Sequence, residues 1–244
     1  MRHPLALLFT MLAALPAVAA AAPVVHTDTS DVRACLPLAG GGALVGTAGG
    51  LVRVDASGAR VATWTAADGL PGTRIEALVP DGDAVWIGAD GGGARVDLSG
   101  AAPRTLSSYE GRPVRDVVVH GGVTYAATWE GGVVVLGGRK PRALPFEGKR
   151  PAARLRVAAL ASQGGTLWAG TAGGLYALRG KRLERVAIHG DQPEPAVAGL
   201  LADGDRLWIA TAIGLFVRDA DGARLVAPGD VRRVVSLDGA IAIA

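Results

Sequence analysis

One cysteine, four histidines, three lysines and 5 % aromatic residues in 244 positions leave little material for several common chemistries. A single thiol, Cys35, excludes a disulfide framework and a thiolate metal site. Beyond residue 22 the histidines are His26, His120 and His189, none at metal-ligand spacing to another histidine, cysteine or carboxylate pair. There is no G-x-S-x-G elbow and no phosphate-cradling P-loop. No run after residue 22 approaches the ~18 uninterrupted apolar residues of a membrane span. No segment there sustains the 3.6-residue apolar period of a helix. Charge is nearly balanced, 25 basic against 22 acidic residues for a net of +3, so a nucleic-acid partner is not expected.

The N-terminus differs from the rest. Met1-Arg2-His3 precedes an apolar run from Leu5 to Ala22, broken only by Thr10 and Pro16, which ends in "AVAAAAP". A short basic start, an apolar middle and small residues at the exit describe a secretory signal peptide over 1–22. The competing reading is a retained membrane anchor. Cleavage implies a periplasmic or secreted protein with no membrane span, its single domain covering 23–244. Cys35 lies too far past the apolar run for lipid attachment.

Glycine is plentiful, at 36 residues, and it punctuates a repeated phrase. "LWAGTAGGLYALR" at 167–179 returns as "LWIATAIGLFVRD" at 207–219, with relatives beginning near Leu44, Trp86 and Tyr125. The markers Leu44, Trp86, Tyr125, Trp168 and Trp208 are separated by 42, 39, 43 and 40 residues. Each unit contains four short apolar stretches. A Gly/Asp pair such as Asp81-Gly82 or Asp203-Gly204 marks the first turn, and the fourth stretch opens on Arg60, Arg104, Arg142, Arg182 or Arg224. Units fall near 32–65, 75–109, 114–146, 157–188 and 197–227, with a partial copy at 231–244. Repeated four-stranded units of about 40 residues predict an all-β β-propeller. A lone four-stranded sheet cannot bury both faces, so blades stack around an axis.

The phrases at 167–179 and 207–219, with "DGLPGTRIEAL" at 68–78, resemble two-component regulator propeller repeats. That family forms the periplasmic ligand-binding sensor part of many hybrid histidine kinases. The resemblance spans nearly all of 23–244, and blade 3 departs most, with "TWEGGV" in place of "TAGGL". The family usually continues into a further β-domain, a membrane helix and a kinase; none of these is read in the 244 residues, so a stand-alone propeller is the expectation here. Six blades of four antiparallel strands are expected, the last incomplete and closed by an N-terminal strand, "PVVHT" at 23–27. The missing strand reflects a shortened reading frame, an irregular blade, or a strand donated by a partner.

Ligands of propellers collect where the axis opens, by fold analogy alone. Departures from the repeat mark candidates there. Trp129 and Glu130 replace small turn residues and could stack on and hydrogen-bond a sugar; the alternative is that Trp129 covers a neighbouring blade. The second position of the first strand carries Arg33, Glu76, Arg115 and Arg232 but Ala158 and Ala198 elsewhere. This is a ring suited to a carboxylate or sulfate, or else a set of mutually paired rim charges. Lys149, Arg150 and Arg154 add basic charge on the same side. Thr47, Thr128, Thr171 and Thr211 recur and are expected to cap turns; Cys35 aligns with Leu78, Leu160 and Leu200 as a core filler, and His120 is expected to be exposed at a turn. The sequence thus points to a non-catalytic, sensor-like module binding a small polar ligand, a glycan or an envelope protein, with no cofactor or metal. The alternatives are a lyase or hydrolase using Glu76 or Glu130 as base, and a structural scaffold.

Overall fold

The computed structural model describes residues 31–136, 140–148, 156–190, 192–237 and 239–244. Its strands form five four-stranded antiparallel sheets and one two-stranded sheet, each built from consecutive strands in order. Blade 1 comprises β1 (Val32–Pro37), β2 (Ala43–Thr47), β3 (Gly50–Val54) and β4 (Arg60–Trp64). Blade 2 holds β5 (Ile75–Asp81), β6 (Ala84–Ala89), β7 (Gly92–Asp97) and β8 (Arg104–Glu110). Blade 3 holds β9 (Val114–His120), β10 (Val123–Thr128), β11 (Gly132–Leu136) and β12 (Arg142–Ala143). Blade 4 holds β13 (Val157–Gln163), β14 (Thr166–Thr171), β15 (Gly174–Arg179) and β16 (Arg182–Val186). Blade 5 holds β17 (Val197–Asp203), β18 (Arg206–Thr211), β19 (Gly214–Asp219) and β20 (Gly222–Pro228); blade 6 is the hairpin β21 (Val234–Leu237) and β22 (Ala240–Ile243). This is the expected all-β propeller. The expected closing strand at 23–27 and the expected signal peptide at 1–22 lie outside the described residues.

Hydrophobic burial explains the circular arrangement. The apolar clusters lie between blades, one for each consecutive pair from 1–2 to 5–6. Between blades 4 and 5, for example, Trp168, Leu175 and Ala177 meet Val197, Leu207, Ile209 and Phe216. Each large apolar side chain of this kind contributes about 1.5–3 kcal/mol when fully buried. The marker aromatics sit in these wedges, with Trp86, Tyr125 and Trp168 buried. The second strand must be small where the next blade presses in: a Cβ on Gly170 would come within 2.5 Å of Val197 Cγ1.

Turn chemistry follows from the recurring threonine. Thr47, Thr128, Thr171 and Thr211 are fully buried. Their hydroxyls donate to the carbonyls of Gly50, Gly132, Gly174 and Gly214 at 2.7–2.9 Å. The Gly49, Gly173 and Ile213 amides donate back to three of them. These are caps, as expected from their recurrence.

Two expectations fail. Cys35 is exposed rather than a core filler. Its equivalents Leu78, Leu160 and Leu200 pack against the preceding blade. For blade 1 the preceding blade is the two-stranded sixth, and among the described residues no apolar cluster bridges blades 6 and 1. His120 is half-buried, with Nδ1 2.9 Å from Ser162 Oγ of blade 4. The blade-to-blade contact covers a residue that its own hairpin would leave in solvent.

Candidate functional site

The first strands of successive blades pack side by side around the axis, from β1 through β5, β9, β13 and β17 to β21. Among the described residues, a hydrogen bond from Arg233 Nη1 to the Arg33 carbonyl at 3.2 Å links blade 6 to blade 1. Each of the first five strands carries the same irregularity against its neighbour. Val32 pairs with Thr47 and Ala34 with Gly46, so Arg33 drops out of the ladder. Glu76, Arg115, Ala158 and Ala198 are skipped in the same way. A bulge of this kind leaves one residue unpaired and re-aims its side chain. All five bulged residues line one cavity of about 660 Å³ at the axis, and Arg232 joins them from the segment before β21.

The cavity wall has two unlike arcs. Blades 6, 1, 2 and 3 contribute Arg232, Arg33, Glu76 and Arg115, whereas blades 4 and 5 contribute mainly alanines. Glu76 is the hub of the charged arc, with only 6 % of its side chain exposed. Arg115 Nη1 lies 2.9 Å from Glu76 Oε1, Arg33 Nη1 3.3 Å from both carboxylate oxygens, and Arg74 Nε 3.4 Å from Oε1. Arg33 also pairs with Asp31, which together with Glu76 raises the guanidinium pKa. Arg232 donates to Asp230 through Nε and Nη2 at 3.0 and 2.9 Å. Mutual pairing therefore accounts for part of the ring. Even so, the lining holds five arginines against three carboxylates, which favours an anion.

Trp129 also faces the cavity, 36 % exposed. Its ring lies under the guanidiniums of Arg115, at 5.3 Å from the centroid, and Arg156, at 4.7 Å. A sugar stacked on this indole would compete with those cations. Glu130 is exposed, and it is not part of the lining. The blade 3 turn is one residue longer than the others, since Thr128 pairs with Gly132 where Thr171 pairs with Gly174. Glu130 absorbs the extra residue at φ 69° and its carbonyl accepts from Arg112 at 3.2 Å. Lys149, Arg150 and Arg154 lie outside the described residues.

Four charged lining residues stand outside the candidate set of the sequence: Asp116, Arg156, Asp230 and Arg233. Two had a visible signal. Asp116 and Arg233 stand where the other blades have Ala34, Ala77, Ala159 and Gly199. Asp116 accepts hydrogen bonds from its neighbour Val117 N and from Leu160 N of blade 4, both at 2.8 Å. Some of its surface reaches the cavity, yet the carboxyl is packed densely enough that desolvation pushes its pKa up to about 6. The two amide bonds pull the other way and do not prevail. Among the described residues no three histidine, cysteine or carboxylate side chains converge as a metal set.

No family model matches the chain, and no curated protein does. Solved structures share its fold. The extracellular domain of a proposed hybrid two-component system from B. thetaiotaomicron superposes with a TM-score of 0.71 at 16 % identity, covering 87 % of this chain and 31 % of that one. This chain therefore spans about a third of that neighbour's length. The WD40 domain of Pan2 from Neurospora crassa gives 0.61 at 10 % identity, covering 87 % and 71 %. A proposed oxidoreductase (glucose dehydrogenase) from Thermus thermophilus gives 0.55 at 16 %, covering 86 % and 90 %. At these identities the likeness is one of fold, and the fold hosts unlike functions. Among the described residues no helix is long and apolar enough to cross a membrane.

Proposed function

We propose that this propeller is a non-catalytic, sensor-like module that takes a small anionic or polar ligand in the cavity at its axis. One observation carries the reading: five blades use the same bulge to turn one side chain each into a shared cavity whose lining is net positive. The fold likeness to an extracellular domain of a two-component system supports a sensing role, and the signal-peptide pattern of residues 1–22 supports a periplasmic or secreted setting. The channel-mouth set is Arg33, Glu76, Arg115, Trp129 and Arg232, joined by Asp116, Arg156 and Arg233. An envelope protein is the alternative partner, and a scaffold the alternative role.

The lyase or hydrolase reading is less well supported. Both Glu76 oxygens accept from arginines, so neither is poised for a substrate proton, and Glu130 stands apart from the cavity. Thermal denaturation against a panel of organic anions, inorganic anions and neutral sugars tests the proposal. A rise in Tm is expected with anions and is lost in Arg115→Ala. No shift across the panel overturns the binding reading, and substrate turnover abolished by Glu76→Gln replaces it with the enzyme reading.

A further inference from the structure

The two arcs of the cavity differ in a way that limits which anion fits. The wall of blades 4 and 5 presents the methyl groups of Ala158, Ala172, Ala196, Ala198 and Ala212, which offer no side-chain donor or acceptor. Cations flank this patch on both sides. On the blade 3 side stand Arg115, whose Nη1 also pairs with Glu76, and Arg156, both within cation–π reach of the Trp129 ring. On the blade 6 side stand Arg232 and Arg233. Blade order around the axis places blades 4 and 5 between them.

From this juxtaposition we infer that the ligand is an unbranched aliphatic dicarboxylate, each carboxylate on one arginine pair and the methylene chain along the alanine wall. This rests on the binding role proposed above and specifies its ligand class. The alternatives each leave a group unsatisfied. A sugar acid would lay hydroxyls against methyl groups, and each buried unpaired hydroxyl costs about 1–3 kcal/mol. A monocarboxylate would bring a methyl end to the second arginine pair, forfeiting a charge-assisted bidentate contact. A dicarboxylate meets planar guanidiniums at both ends and buries its spacer. The Arg232–Asp230 pair does not block this, because both side chains are largely exposed and such pairs rearrange at little cost.

Isothermal titration of the full chain distinguishes the possibilities with three matched probes: adipate, its tetrahydroxy analogue galactarate, and hexanoate. Succinate and suberate extend the dicarboxylate series to find the fitting length. The best dicarboxylate is expected to bind at least about tenfold more tightly than hexanoate or galactarate. Arg156→Ala and Arg232→Ala, both at exposed positions, should each reduce dicarboxylate binding to the level of hexanoate while leaving the urea midpoint unchanged. Hexanoate or galactarate binding as tightly as every dicarboxylate overturns the inference but leaves an anion-binding cavity standing. The same holds if inorganic sulfate binds and no dicarboxylate does. If no probe binds, including sulfate and neutral sugars, the inference and the binding role fall together.

Discussion

Blades 3 and 4 stand side by side, and their first strands differ at the positions that matter. Val114-Arg115-Asp116-Val117 in one faces Val157-Ala158-Ala159-Leu160 in the other. The opening valines are both fully buried and interchangeable in role. The second position is bulged in both and carries a cation in one and a methyl in the other. The third is a small filler in blade 4, while in blade 3 it is an acid reaching across to the Leu160 amide. The comparison teaches that the blade interfaces hold the fold, and that the bulged position carries charge freely while its neighbour does so only at a desolvation cost. A site can thus be written onto a propeller at one bulged position per blade without disturbing its cores.

The largest test of that contrast is Asp116. Its folded pKa of about 6 exceeds the unfolded value, so the native state binds the proton more tightly. Stability from this residue is fully present below pH ~4 and falls as pH rises toward 6, by about 3 kcal/mol in all. Asp116→Asn should remove that slope. Urea midpoints of both proteins at pH 4 and pH 7.5 measure the difference, and parallel pH profiles would refute it. Next in size is Glu76, whose loss leaves Arg33, Arg74 and Arg115 crowded together. Glu76→Gln should cost about 2 kcal/mol, less than the ~3–5 of a fully buried pair because the guanidiniums reach water. The loss should shrink in high salt as the remaining repulsion is screened.

Smaller effects probe the turns and wedges. Glu130→Gly relieves a left-handed residue that the shorter turns of blades 1, 4 and 5 avoid, and should gain about 1 kcal/mol. A Tm at or below that of the parent would show that the Glu130 side chain holds the loop. The smallest concerns Trp168, whose buried Nε1 lacks a partner among the described residues. In blades 2 and 5 an aspartate five residues earlier accepts this bond, Asp81 at 3.1 Å and Asp203 at 3.4 Å. Blade 4 has Gln163 there. Gln163→Asp should add about 0.5–1 kcal/mol, read as a rise in urea midpoint, if the acceptor alone is what blade 4 lacks.

Several of these features were legible in the sequence. Recurrence exposed the blades and the threonine caps, because both are set by residues within a few positions of one another. Departures from recurrence exposed Arg33, Glu76, Arg115, Trp129 and Arg232, which the cavity gathers. Asp116 and Arg233 carry the same kind of signal, as charges at a position that is Ala or Gly in the other four units. Cys35 departs from its equivalents, which a preceding blade covers, because among the described residues no apolar cluster joins blades 6 and 1.

What the chain's order of residues determined alone is the blade: four short strands, their glycine turns and the apolar faces that force stacking. These depend on local geometry and on the oil–water preference of side chains, which repeat with the sequence. Only the closed ring decided which charges meet. Arg33 and Arg233 are 200 positions apart and touch because blade 6 comes round to blade 1. The bulges tilt Arg33 and Arg115 onto Glu76, partners that no spacing along the chain specifies, since Coulomb forces act through space and are fixed only when the blades are placed.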